Sequence, residues 1–188
     1  MDFQIDYIQN IRVDKPETTT SLELTNFIFF DIETTGLRPD RGAKVTEVSI
    51  LNRNSQLYSW RSHINSGVNP FSNELPIILN HLKNGVVVGH NLQFDFWFIS
   101  HEADKLGITG PTLRFIDTLS LARKVLPERS SYKLSELLKE FNIKVNGELH
   151  TATTDTEATS ALFWKLVEKG DISTTGKAGM KKLNWSSF

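Results

Sequence analysis

The chain has 188 residues, 39% apolar and 23% charged, with 21 basic against 22 acidic side chains and no cysteine. Such a balance fits one globular domain with a substantial core, and the missing cysteines exclude disulfides, thiolate zinc sites and cysteine nucleophiles. The net charge of −1 argues against a long salt-bridged duplex interface, because backbone binding to nucleic acid favours a basic excess. It leaves room for a short single-stranded end, since a cluster of metal-binding carboxylates would offset basic residues elsewhere.

The N-terminus, MDFQIDY, lacks the basic region and apolar run of a signal peptide. No apolar stretch reaches the length of a membrane span, so a soluble, cytoplasmic protein without membrane contact is expected. Residues 1–25 form an extension of unassigned role. There Phe3, Ile5 and Tyr7 alternate, but Ile8, Ile11 and Val13 break the period, and Lys15 to Ser21 read as polar linker.

A domain is expected over 26–170. FIFFDIE reads as a strand buried on both faces, KVTEVSILNR as a second strand and QLYSWRSHI as a third, joined by short links. Leu75, Ile78, Leu79 and Leu82 place a helix over 74–84, and VVVGHN is another buried strand. FDFWFISHEADKLG is a helix ending at Gly107, and TLRFIDTLSLARKVLP is a strand followed by a helix closed by Pro127. Ser130 or Ser131 is expected to open the short helix YKLSELLKEFNI. The last helix, DTEATSALFWKLVEKG, has Thr154 and Glu157 spaced as a capping box. The segment 171–188, rich in Ser, Thr, Gly and Lys, reads as a mobile tail. The order predicts a mixed α/β sheet with helices on both faces.

The chemistry concentrates in a few acids. Asp31 and Glu33 lie two apart at the end of an apolar strand, so they share a face about 6.6 Å apart. A cation would relieve the cost of leaving both unpaired, although the pair by itself also fits an exposed strand end facing water. Asp95 shares a helix face with Phe98, Ile99 and Leu106, a stripe that points inward. A first-turn dipole partner is its ordinary role, and one compatible with a metal site. Asp155 aligns with Ala158, Leu162 and Leu166 and heads the buried stripe of the last helix. His150 lies five residues earlier, on the loop or first turn leading into that helix, while His63, His81 and His101 read as ordinary surface or core histidines.

Oxygen-only ligation favours Mg²⁺ or Mn²⁺ over zinc. Two such ions about 4 Å apart hold the attacking and leaving oxygens of a phosphodiester in line. An imidazole nearby suits proton removal from the attacking water near neutrality.

FDIETTGL, VVVGHNLQFD and HTATTD resemble, in order and spacing, the three motifs of the DEDDh exonuclease family, typified by the proofreading epsilon subunit of bacterial DNA polymerase III. VTEVSIL, IDTLSLAR and YKLSELLKEFNI add to the likeness, which runs from about Asn26 to about Glu168. The resemblance implies a ribonuclease-H-like fold with a five-stranded sheet, its first three strands antiparallel and the later ones parallel. It implies that Asp31 bridges two metal ions and that Glu33 and Asp155 serve the ion that activates water. Asp95 would support the second ion, and His150 would be the general base. Thr34, Thr35 and Gly36 would hold the 3′-terminal nucleotide, Leu37 would wedge against its base, and Asn91 would order the second motif.

Thr156 stands where alanine is common in the family, and Phe94, Phe96, Trp97 and Phe98 make the second motif unusually aromatic. Phe98 is expected in the core, and Phe96 or Trp97 is a weaker candidate for base stacking. Asp117 and Glu47 are assigned structural roles. The expected activity is 3′→5′ release of nucleoside 5′-monophosphates from single-stranded ends, DNA favoured, for proofreading, repair or end trimming. A polymerase or another nucleic-acid-processing complex is the expected partner. An exoribonuclease acting on short or structured RNA is the alternative enzyme, since sugar choice depends on pocket shape. A non-catalytic binding module with the same fold is the alternative from another class.

Overall fold

Eight residues, FIFFDIET, make strand β1 (Phe27–Thr34), and its alternating side chains divide the molecule into two cores. Phe27 and Phe29 point to one side of the sheet, while Ile28, Phe30 and Ile32 point to the other. The structure, a computed structural model, describes residues 26–52, 55–62, 70–172 and the backbone of 181–183. The extension 1–25, His63 and most of the expected tail lie outside the described residues.

β1 pairs antiparallel with β2 (Val45–Asn52), which pairs antiparallel with β3 (Gln56–Arg61). On its other edge β1 runs parallel to β4 (Val86–Gly89), and β4 parallel to β5 (Leu113–Asp117). This is the expected five-stranded mixed sheet. A sixth strand, β6 (Lys181–Leu183), adds antiparallel to β5, giving the order β3-β2-β1-β4-β5-β6. Three residues within the segment expected as a tail therefore extend the sheet. Their sequence, KKL, carries no alternation long enough to mark a strand, and the pairing comes from the open edge of β5.

Helices α1 (Phe71–Leu82) and α2 (Leu92–Leu106) cover one face, burying Leu75, Ile78, Leu79, Leu82, Phe96, Phe98 and Ile99 against Ile28 and Phe30. The other face carries α3 (Thr118–Val125), α4 (Leu134–Glu140) and α5 (Ala152–Lys169). α5 is the pillar of that side, where Phe163 sits 4.9 Å from the Phe27 ring and 5.9 Å from Phe29.

Helix boundaries depart from the sequence reading in three places. α1 begins at Phe71, three residues early, because Phe71 adds another buried position one turn before Leu75. α4 begins at Leu134 with Lys133 at its cap, so Ser130 and Ser131 do not open it. α5 begins at Ala152, and its cap is Thr151, whose hydroxyl accepts from the Thr154 N–H at 3.3 Å. Thr154 is thus the capped residue rather than the cap. The α2 stripe also ends early: Leu106 is 42% exposed, and Ala103 takes the last buried position.

Replacing Phe163 by Ala should lower unfolding stability by about 3–5 kcal/mol, as for a large aromatic removed from a packed core. Urea denaturation measures this; a cost below about 1 kcal/mol would contradict the packing of α5 on β1.

Candidate active site

Asp31 and Glu33 continue the parity of Phe27 and Phe29, so both carboxylates leave β1 toward α5. The register sets Ser49 opposite Asp31 and Glu47 opposite Glu33, and it shifts between Glu33 and Thr34, just before the chain enters the Thr35–Leu37 loop. Asp155 arrives from the first turns of α5. Carboxylate oxygens of Asp31, Glu33 and Asp155 all lie within 4.8 Å of one another. Among the described residues none of the three is in a salt bridge.

This proximity is electrostatically unfavourable. Burial pushes the Asp31 carboxyl well above the ordinary aspartate value, and Asp95, Asp155, Glu33 and Glu47 push it further. Glu33 is raised by burial, then by Asp155 and Glu47, with His150 opposing. Asp155 is raised by burial against the opposing His150 N–H and ring. A set of oxygen donors this close, with burial first and like charge second opposing ionisation at Asp31 and Glu33, fits a hard divalent cation.

Asp95 occupies a different position. It is buried, 3% exposed, and one of its oxygens accepts from the Ile32 N–H at 3.1 Å. Burial raises its pKa to about 8 against the pull of its backbone hydrogen bonds. It lies behind Asp31, fixing α2 to the middle of β1 at the point between the two β1 acids. The inward direction read from the sequence is therefore present, although Leu106 does not share it.

His150 is exposed, on the loop before α5, with φ of 76°. A left-handed conformation costs an L-residue of this size roughly 1–2 kcal/mol, and such strain collects at functional positions. Its N–H donates to Asp155 at 3.2 Å, which holds the histidine beside the acids.

The Thr34–Leu37 loop is closed by its own bonds. The Thr34 hydroxyl donates to the Gly36 carbonyl at 2.7 Å, and the Thr35 hydroxyl accepts from the Lys44 N–H at 2.9 Å. Leu37 is 78% exposed, an apolar side chain presented to solvent at the rim. Asn91 caps α2 at φ 64°, and its N–H donates to Asp117 at 2.8 Å. That sharp turn follows Gly89, where a Cβ would meet Leu92 at 2.4 Å and the Phe30 carbonyl at 2.8 Å. Any side chain there would force α2, and Asp95 with it, away from β1.

Asp117 also accepts from the Leu119 N–H and the Ser120 hydroxyl, at 3.1 and 3.0 Å, so it ties the starts of α2 and α3 together. Glu47 has a structural role, placed beside the acids. It accepts from the Ala152 N–H at 3.3 Å and pairs with Arg61 at 2.8 Å, anchoring the start of α5 to the strand opposite Glu33. Its place opposite Glu33 comes from the register of β2 on β1, which parity within β2 does not set. Of the motif aromatics, Phe96 and Phe98 are core, Phe96 packing 5.2 Å from Phe115. Trp97 is half-buried beneath the Arg38 guanidinium at 5.9 Å. Thr156 is buried and donates to the Ala152 carbonyl at 2.5 Å, so the hydroxyl is accommodated inside the helix.

Known proteins resemble this chain in sequence and in fold. The RNase T-type exonuclease family model matches residues 64–163. The 3′-5′ exonuclease DinG of Bacillus subtilis is 29% identical over 165 residues, covering 76% of this chain and 18% of DinG. A PolC-type DNA polymerase III of Caldanaerobacter subterraneus is 33% identical over 175 residues, covering 81% of this chain and 12% of the polymerase. The chain thus spans less than a fifth of either relative. Among solved structures, exonuclease X in complex with 5′ overhanging duplex DNA superimposes with a TM-score of 0.56 at 17% identity, over 81% of this chain and 97% of that one. The Mg²⁺- and Mn²⁺-bound form of Pop2p from S. pombe gives 0.63 at 11% identity, over 84% and 89%. These likenesses establish a shared ribonuclease-H-like fold. The chain belongs to the exonuclease family, as its three motifs implied.

A group whose folded-state pKa is raised holds its proton longer when folded than when unfolded. Ionised above that pKa, it destabilises the fold unless a cation replaces the proton. For Asp31, Glu33 and Asp155 the window opens at the ordinary carboxylate values, 3.8 for aspartate and 4.5 for glutamate, and extends upward; for Asp95 it reaches about 8. The rise in Tm given by saturating Mn²⁺ should therefore grow as pH is raised across this window. Melting curves with Mn²⁺ and with EDTA at several pH values test it, and a stabilisation that shrank toward high pH would contradict it.

Proposed function

We propose that this chain is a divalent-metal-dependent 3′→5′ exonuclease acting on single-stranded nucleic acid, DNA favoured. One observation carries the reading: two acids of β1 and one of α5 place their oxygens within 4.8 Å of one another, outside any salt bridge. Asp31, Glu33 and Asp155 would hold the metal, with Asp95 supporting from behind Asp31. Two ions, Mg²⁺ or Mn²⁺, would when bound acidify the attacking water and neutralise charge at the phosphate.

The remaining steps belong to this chain's own groups. His150, exposed beside Asp155, would take a proton from the water. The water oxygen would bond to phosphorus as the bond from phosphorus to the preceding 3′ oxygen breaks. The departing 3′ oxygen would take a proton from solvent, so the products would be a nucleoside 5′-monophosphate and a strand shorter by one, with a new 3′-hydroxyl. Thr34, Thr35 and Gly36 would hold the terminal nucleotide, exposed Leu37 would press on its base, and Asn91 would keep the α2 turn in place. The name of DinG supports 3′→5′ exonuclease activity, and the PolC-type DNA polymerase III supports DNA as substrate and work alongside a polymerase or another nucleic-acid machine.

Purified protein with Mg²⁺ or Mn²⁺ should shorten a 5′-labelled oligonucleotide one residue at a time, and Asp31→Ala should abolish this. His150→Ala should slow turnover by about 10²–10⁴-fold while metal binding persists. Parallel DNA and RNA substrates read the sugar preference. Wild-type protein that binds the strand without shortening it would replace this reading with a non-catalytic binding module.

A further inference from the structure

Two hydroxyls, Ser49 Oγ and Thr159 Oγ1, are buried without a hydrogen-bond partner among the described residues. Both side chains are fully enclosed, at 0% exposure. A buried hydroxyl left alone is unfavourable, and each of these is a neighbour of one acid of the cluster. Thr159 follows Asp155 by one turn of α5. On a helix its hydroxyl has an acceptor within reach, the carbonyl four residues back. Thr156 already makes that bond, to the Ala152 carbonyl. Ser49 has no such local remedy.

Ser49 stands in the middle of β2, with β1 paired on one side and β3 on the other. Across the three strands its row reads Asp31, Ser49, Ser59, and the next row reads Glu33, Glu47, Arg61. Parity turns both rows toward α5, and Leu51 of β2 continues into the core on that side. The second row is already connected. Arg61 pairs with Glu47, and Glu47 accepts from the Ala152 N–H. In the first row Ser59 is open to solvent, while Ser49 is enclosed beside Asp31. Asp95 and Asp155 each accept a backbone N–H, yet among the described residues no hydrogen bond reaches the Asp31 carboxylate. Opposed residues on one face of an antiparallel pair have Cβ atoms about 4.5–5.5 Å apart. A seryl and an aspartyl side chain together span that gap, so a change of serine rotamer is enough to join them.

We propose that Ser49 is the positioning residue of Asp31: its hydroxyl donates to the Asp31 carboxylate when that group faces a divalent cation, and so fixes the direction of the oxygens. The proposal rests on the cation site described under the proposed function. A carboxylate has about four lone-pair positions, so one bond from serine leaves both oxygens free to meet an ion. Bonds of this kind behind a metal ligand typically strengthen metal binding by about 10–100-fold. Serine also suits the place by its size and charge. It is small enough to be enclosed under α5, and a neutral donor neither competes with the cation nor adds to the repulsion among the acids.

The test needs no nucleic acid. Mn²⁺ is titrated into the full chain and the free ion counted by its EPR signal; the binding that Asp31→Ala removes belongs to the cluster. Ser49→Ala should weaken that binding by about ten-fold or more. The same variant in EDTA should melt at the wild-type temperature or above it, because the change deletes a buried hydroxyl that has no partner in the metal-free protein. Weaker binding without a lower Tm is a split that a merely structural serine would not give. Thr159→Val, which deletes the other lone hydroxyl at nearly constant volume, should leave Mn²⁺ affinity unchanged. Equal Mn²⁺ affinity in wild type and Ser49→Ala would overturn the proposal alone. So would a Ser49→Ala protein whose Tm in EDTA falls along with its affinity, or an equal loss of affinity in Thr159→Val. Wild-type protein that binds no Mn²⁺ would overturn the cation site and the proposal together, whereas protein that binds Mn²⁺ through Ser49 but cuts no strand would uphold the proposal and reject the exonuclease reading.

Discussion

The mutual repulsion of Asp31, Glu33 and Asp155 is the constraint to which the rest of the structure answers. Two acids at one strand end could turn to solvent, but α5 lies across that face and delivers a third. The core formed by Phe27, Phe29 and Phe163 supplies the burial that makes this possible, at about 1.5–3 kcal/mol for each fully buried large apolar side chain. Apolar packing a turn or two away thus holds together charges that would otherwise separate. A divalent cation among the three carboxylates would relieve that strain, as protonation also does.

Several polar contacts elsewhere serve the same end. Glu47 ties the first N–H of α5 to β2, and Asp95 ties α2 to the β1 backbone between the two strand acids. Asp117 clamps the starts of α2 and α3, and Gly89 lets α2 approach β1 closely. Each fixes a helix N-terminus at one end of the sheet. The acids consequently arrive from rigid elements, while His150 and the Thr34–Leu37 loop, which would contact substrate, lie on turns. This division suits a site where ligand geometry is fixed and proton transfer needs a mobile group.

Much of the arrangement was legible in the sequence because it follows from periodicity. Alternation in FIFFDIE fixes which way Asp31 and Glu33 face, and helical phase turns Asp95 and Asp155 inward. What was missed depends on contacts between distant segments. KKL at 181–183 becomes a strand only because β5 offers an edge, and no local pattern announces that. Thr151 caps α5 in place of Thr154 because the chain turns sharply at His150. The serines before α4 look like caps by composition, yet the His90 bond to the Tyr132 carbonyl holds their loop against the turn after β4. Glu47 looked structural alone, and only register against Glu33 brings it to the acids.

The central claim is that this acid cluster is a divalent cation site. Anomalous diffraction at the manganese edge, from crystals grown with Mn²⁺, addresses it without reference to any substrate. Manganese is expected between the carboxylates of Asp31, Glu33 and Asp155. Crystals in which those carboxylates converge with no manganese between them, or in which the ion binds elsewhere, would contradict it.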